Sequence, residues 1–133
     1  MMHYHVGNYY TYQAATSVCP NGTTSTESKD WKLPTSNTQT NGSFYYLLNK
    51  YGLTSAPISG NNAIYGAPLY FLAGGRVNNG SLEYAGSNGN YWSSTGYNTA
   101  NAYGLGFSSS SVGPSGYSNR YLGQFVRCLV LGS

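Results

Sequence analysis

Charge is what this sequence has least of. Of its 133 residues, six are Lys or Arg and three are Asp or Glu, for a formal net charge of +3. The six cations are scattered, whereas a nucleic-acid surface gathers them on one face, so no nucleic-acid partner is expected. The three acids, Glu27, Asp30 and Glu83, are too few for a hard-metal site built from side chains. Calcium takes about six to eight oxygens, several of them usually carboxylate. There is no CxxC and no Cys/His ligand spacing, which argues against zinc. No cofactor is expected. His3 and His5 stand two apart at the start of the sequence without a third ligand, and read as a solvated pair. Hydrolysis needs a base beside its nucleophile. These two histidines and three acids supply no such pairing, so the chain does not read as an enzyme.

Aliphatic residues are also sparse. Leu, Ile, Val and Phe make up fewer than a fifth of the chain, a level that signals disorder only when net charge is high. Fifteen Tyr and two Trp supply the missing apolar area, since an enclosed aromatic ring buries about 150–250 Å². One domain spanning residues 1–133 is expected. Only two cysteines occur, Cys19 and Cys128. They are either a disulfide between distant strands or two buried thiols. The low charge and the Tyr/Ser/Asn surface suit an extracellular setting and favour the disulfide. No signal peptide or membrane-length apolar run is visible. No membrane insertion is expected, and a secreted native protein would hold this chain as its mature form or as an excised domain.

Local patterns then suggest elements. Residues 3–15 are dense in tyrosine and read as a first strand ending before Thr16. A polar loop follows, with Trp31 and Leu33 as apolar anchors, and Pro34 keeps Leu33 out of a helix. Phe44, Leu47, Leu48 and Tyr51 fall at helical spacing within 41–52. Asn41 or Ser43 can cap that helix and Gly52 can end it. Residues 53–66 read as loop and 68–77 as a buried strand. Asn79-Gly80 turns the chain into a return strand at 82–84. After a turn at 86–90, Tyr91-Trp92 leads to 102–108, where Tyr103, Leu105 and Phe107 alternate with Gly104, Gly106 and Ser108. Residues 109–119 with Pro114 read as loop, and 125–131 as a last strand beside the first. Asn-Gly-Ser/Thr triplets begin at Asn21, Asn41 and Asn79; they match glycosylation acceptors but read as ordinary turns.

The order of these pieces is informative. It runs Tyr9–Ala15 (YYTYQAA), Val18-Cys19-Pro20, Trp31-Lys32-Leu33-Pro34-Thr35, Tyr91-Trp92-Ser93-Ser94-Thr95, Ala102-Tyr103 with Leu105 and Phe107, and Phe125-Val126-Arg127-Cys128. This resembles the bacterial FISUMP domain, whose signature is similar to CPxGWRLPT … YWSST … AYxLxF … VRC. An insertion between Pro20 and Trp31 departs from that pattern. The resemblance extends to C-type lectin-like folds, formylglycine-generating enzymes and the variable proteins of diversity-generating retroelements. It implies an α+β fold, a C-type lectin-like domain. Such a domain has short antiparallel strands, one or two helices, long loops, and paired N- and C-terminal strands. It also implies a bacterial cell-surface or extracellular location.

In the retroelement proteins the variable positions lie in the C-terminal part of such a fold, which corresponds here to 90–124. The positions between the apolar skeleton residues are Asn90, Tyr97, Asn98, Asn101, Gly104, Gly106, Ser108, Ser110, Ser115, Tyr117, Ser118, Asn119, Tyr121 and Gln124. Tyr, Ser, Gly and Asn also dominate antibody loops, because Tyr gives broad amphipathic contact at low entropic cost and the small residues adapt. Gly104, Gly106 and Ser108 are expected on the face away from the core. The expectation is a non-catalytic ligand-binding module, with a protein on another cell, phage or host surface favoured over a glycan. The alternative is a self-assembling subunit of a surface array or filament, which leaves a homo-oligomer open. A formylglycine-type enzyme would need a reactive thiolate, and nothing beside Cys19 or Cys128 supplies one.

Overall fold

The computed structural model describes residues 8–19, 31–36, 42–50, 71–108 and 112–130, without the side chains of Trp31, Pro114, Ser115 and Val130. The expectations for His3, His5, the insertion after Pro20, Asn41, Gly52, the 53–66 loop and Ser110 lie outside the described residues. The described part is α+β, with little helix and short antiparallel strands.

The central element is a three-stranded antiparallel sheet of β4 (Gly89–Gly96), β5 (Asn101–Phe107) and β6 (Val112–Asn119), in that order. Alternation on β4 and β5 sends side chains to opposite faces, and both faces are covered. Tyr91, Leu105 and Phe107 pack with Phe71, Phe125 and the helix residues Phe44 and Leu48. Trp92 and Ala102 pack on the other side with Tyr12, Ala15, Leu33, Leu122, Val126 and Cys128. The run after Leu122 threads between the two cores, with Phe125 in the first and Val126 and Cys128 in the second.

The 109–119 loop expectation is corrected: Val112–Asn119 is the strand β6. Its proline and glycines break regular pairing, but β6 is an edge strand. The ladder pairs Gly104 with Gly116 and Gly106 with Gly113, so Pro114 and Ser115 lie within a bulge. An edge or bulge position tolerates a residue without an N–H donor.

The first-strand expectation is also corrected. Tyr12–Ala15 is a short helix, α1. Thr11 accepts from the Ala14 N–H at 3.5 Å, and the Gln-Ala-Ala run favours helix over strand. Tyr10 makes one antiparallel bridge, to Gln124. The last strand, β7 (Leu129–Val130), pairs with β1 (Trp31–Lys32), and among the described residues not with the N-terminal segment. Cys19 and Cys128 form a disulfide, with Cα atoms 5.6 Å apart.

The helical spacing forms α2 (Ser43–Lys50), burying Phe44 and Leu48. Its N-terminus is satisfied from a distance, by Thr35. The Thr35 hydroxyl accepts from Ser43 N–H at 2.9 Å, and Ser43 Oγ accepts from Thr35 N–H at 2.9 Å. The Asn79-Gly80 hairpin joins β2 (Arg76–Asn78) to β3 (Ser81–Glu83). Both turn residues have positive φ, 50° and 82°, as a two-residue hairpin of this type requires. The buried-strand expectation for 68–77 does not hold in its described part: Phe71 is buried outside any strand, Leu72 is exposed, and β2 is half-buried.

Candidate binding face at the end of the sheet

The candidate residues fall into two groups, divided by the sheet itself. Strand parity places Tyr103 with Leu105 and Phe107, and pairs it with Tyr117. Beyond the end of the first core these two meet Tyr97. Tyr97 and Tyr117 stack with centroids 4.4 Å apart at 16°, and Tyr103 stands edge-on to Tyr97 at 5.3 Å. Tyr97 is 49% exposed and Tyr117 58%. Asn119 and Tyr121 are exposed close by in sequence, with Asn119 Nδ2 donating to the Tyr121 hydroxyl at 3.4 Å. The result is an uncharged aromatic platform whose rings support one another. Offset and edge-on pairs contribute about 0.5–1.5 kcal/mol beyond area burial, so the rings are held in place while still exposed.

Asn98 is exposed and engaged within its own loop. Its Oδ1 accepts from the backbone N–H groups of Ala100 and Asn101, at 2.9 and 2.7 Å. This is the side-chain turn that asparagine makes readily. It shapes the β4–β5 hairpin loop and so aims Tyr97.

The second group lies on the opposite face. Asn90, Gly104, Gly106, Ser118 and Gln124 line a cavity of about 190 Å³, to which Tyr117 of the first group also contributes. Gln124 is 2% exposed, and among the described residues neither its Nε2 nor Asn90 Nδ2 has a hydrogen-bond partner. Gly104 is buried, which corrects its placement on an open face. A Cβ there would press into the Tyr91 carbonyl oxygen, well inside van der Waals distance. The expectation missed this because alternation gives the opposite face without showing that a second core covers it. Gly104→Ala is therefore expected to destabilise by about 1–3 kcal/mol through overpacking, measured by denaturant unfolding. At Gly106 an added Cβ would meet only Asn90 Oδ1, at 3.9 Å. Ser108 is half-buried, and Ser115 is placed only by its backbone in β6.

Two residues were missed. Tyr103 was read as part of the alternating half-buried strand and not named as a contact residue; it is half-buried against Tyr97. Arg120, half-buried at the end of β6, carried only the weak signal of a lone cation in an acid-poor chain.

Arg127 and Cys128 point into different cores. The Arg127 guanidinium lies 4.6 Å over the Phe71 ring, and burial lowers its pKa from the ordinary value, with Tyr91 acting the other way. Burial also pushes the Tyr91 hydroxyl well above the usual tyrosine range, despite its bonds to the Leu72 backbone. Cys128 is in the disulfide. Among the described residues no three of His, Cys, Asp and Glu come together, and no helix is long and apolar enough to cross a membrane.

Fold and face together define an α+β domain that presents self-supporting tyrosines at one end of a doubly covered sheet. Residues 61–129 match a family model described as Domain of unknown function (DUF8237). That is more than half of the 133 residues, and the chain belongs to this family. No curated protein and no solved structure gives a match.

Proposed function

We propose that this chain is a non-catalytic ligand-binding module of a bacterial surface or secreted protein, built on a C-type lectin-like fold of the FISUMP kind. Its contact surface is the end of the β4–β5–β6 sheet: Tyr97, Tyr103, Tyr117, Asn119 and Tyr121. The observation that carries this reading is the ring cluster of Tyr97, Tyr103 and Tyr117. Three tyrosines pack on one another outside either core, where they add little to folding and offer a rigid, amphipathic surface. Aromatic residues of this kind are the usual anchors of protein interfaces. The ligand is a protein, because the platform is broad and carries no charge of its own. The resemblance to retroelement variable proteins makes these outward residues the ones to diversify, while Gly104 and Trp92 are held by packing.

The test is binding with folding as its control. The immobilised domain is incubated with surface extracts of host and neighbouring cells, and with a glycan array in parallel. Tyr97→Ala/Tyr117→Ala is expected to lose a captured protein at least tenfold, while retaining the wild-type circular dichroism spectrum. Equal capture by the variant, or signal only on the glycan array, contradicts the reading.

A further inference from the structure

A groove lies between α1 and the same end of the sheet, with a volume of about 550 Å³ and walls that include Thr11, Gln13, Thr16, Thr99, Arg120 and Tyr121. All but Arg120 are neutral. Arg120 is held from two directions. Its Nε donates to the Asn101 carbonyl at 3.1 Å, and its guanidinium carbon lies 4.7 Å from the Tyr12 ring centroid. Tyr12 is itself fixed. Its hydroxyl donates to the Ser94 carbonyl at 3.0 Å, and its ring stands edge-on to Trp92 at 5.5 Å. Gly96 leaves the space the guanidinium occupies, for a Cβ there would sit 2.7 Å from Arg120 Nη2.

Among the described residues, this arrangement leaves the terminal guanidinium nitrogens oriented but without an anion. The chain has three acids. Glu83 is taken by Arg76 at 2.9 Å, and among the described residues no carboxylate reaches Arg120. Arginine stays charged at all accessible pH and pairs with a carboxylate through two parallel N–H donors. Its preference for bidentate pairing, with the loss of side-chain freedom already incurred, suits it to recognise a carboxylate brought by a ligand.

We propose that Arg120 is the acidic-group subsite of the binding face. It receives a Glu or Asp side chain of a protein ligand whose remaining contact lies on the tyrosine platform. The hydroxyl-bearing walls hold the chain beside that carboxylate; of them, Thr99 lies two residues from Tyr97 in the β4–β5 loop, and Tyr121 accepts from Asn119. This assignment rests on the reading of that end of the sheet as the contact surface, and adds the charge preference that the neutral tyrosines cannot supply.

The experiment titrates the ¹⁵N-labelled domain with N-acetyl-L-glutamate, its neutral isostere N-acetyl-L-glutamine, and D-glucuronate. The readouts are the Arg120 Nε–H signal and the backbone amides of Gln13, Thr99 and Tyr121. N-acetyl-L-glutamate is expected to shift these signals saturably, and N-acetyl-L-glutamine to bind at least tenfold more weakly. The glutamate shifts should weaken as salt screens the pair. Arg120→Gln should abolish the response. Arg120→Lys keeps the charge but loses the fork, and should weaken binding several-fold; it also serves as the folded control should the glutamine variant lose structure. Equal binding of the two isosteres, or an unchanged response in Arg120→Gln, overturns the proposal. Binding of D-glucuronate without N-acetyl-L-glutamate overturns it as well, by making the anion a sugar acid. Because these probes read Arg120 without the natural ligand, a negative result here leaves the tyrosine platform to be judged by its own variants.

Discussion

Replacing Trp92 by alanine is expected to cost about 3–5 kcal/mol of folding stability. For a domain of this size total stability is about 5–15 kcal/mol, so the variant should be largely or partly unfolded at room temperature. The reason is its position. Trp92 is fully buried in the second core, and its indole donates to the Tyr10 carbonyl at 2.7 Å. Its ring meets Tyr12 edge-on at 5.5 Å, and its backbone N–H donates to the Phe125 carbonyl at 2.9 Å. One side chain thereby joins the N-terminal segment, β4 and the C-terminal run. Removing it leaves a cavity and takes one of two donors from the Tyr10 carbonyl, which keeps the Gln124 N–H at 2.9 Å. Equilibrium denaturation by urea, followed by tryptophan fluorescence of Trp31 and by circular dichroism, checks this. A loss below about 1 kcal/mol, the scale of an ordinary surface change or small trim, would show that the second core does not depend on this residue.

Breaking the Cys19–Cys128 disulfide is the second large effect. The two cysteines are 109 residues apart in sequence, so the bond constrains most of the unfolded chain. The chain-entropy model gives about 4–5 kcal/mol for a loop of this length. Cys128 is buried in the second core beside Trp92, so the bond also fastens the end of the α1 segment to the C-terminal run. Cys19→Ala/Cys128→Ala is expected to shift the urea midpoint down accordingly, without a change in the sheet signal of the fraction that remains folded. Wild-type protein treated with reductant should behave in the same way. Indistinguishable oxidised and reduced midpoints would contradict the account.

How far the sequence alone reached depended on how local each signal was. The Asn79-Gly80 hairpin and the Phe44/Leu48 helix face carry their own chemistry within a few residues, and both were legible. The alternation at 103–107 was legible too, but its meaning was not. Parity says that Gly104 opposes Leu105; only the fold shows Val126 and Leu122 covering that side. The strand β6 was hidden because Gly113, Pro114 and Gly116 each argue locally against pairing, and edge position and bulge were needed to reconcile them with a ladder. Residues 12–15 went the other way: neighbouring tyrosines suggested a strand, and the Thr11 cap with Gln13, Ala14 and Ala15 made a helix. At the candidate site, composition marked an interval but could not sort its residues by burial. Tyr97, Tyr117 and Tyr121 came out exposed, Gln124 and Gly104 buried, and Asn98 engaged in its own loop. Arg120 was invisible because its significance lies in Tyr12 and Gly96, residues far from it in sequence.

The central claim is that a closely packed frame holds a tyrosine surface that it does not need for its own stability. The most direct measurement is the unfolding free energy of Tyr97→Ala/Tyr117→Ala, taken beside that of Trp92→Ala under the same conditions. The account predicts that the double variant, which removes all three ring contacts among Tyr97, Tyr103 and Tyr117, stays folded and loses less stability than Trp92→Ala. If removing the two exposed tyrosines unfolds the domain as thoroughly as removing the buried tryptophan, the platform belongs to the core and is not a surface kept for a ligand.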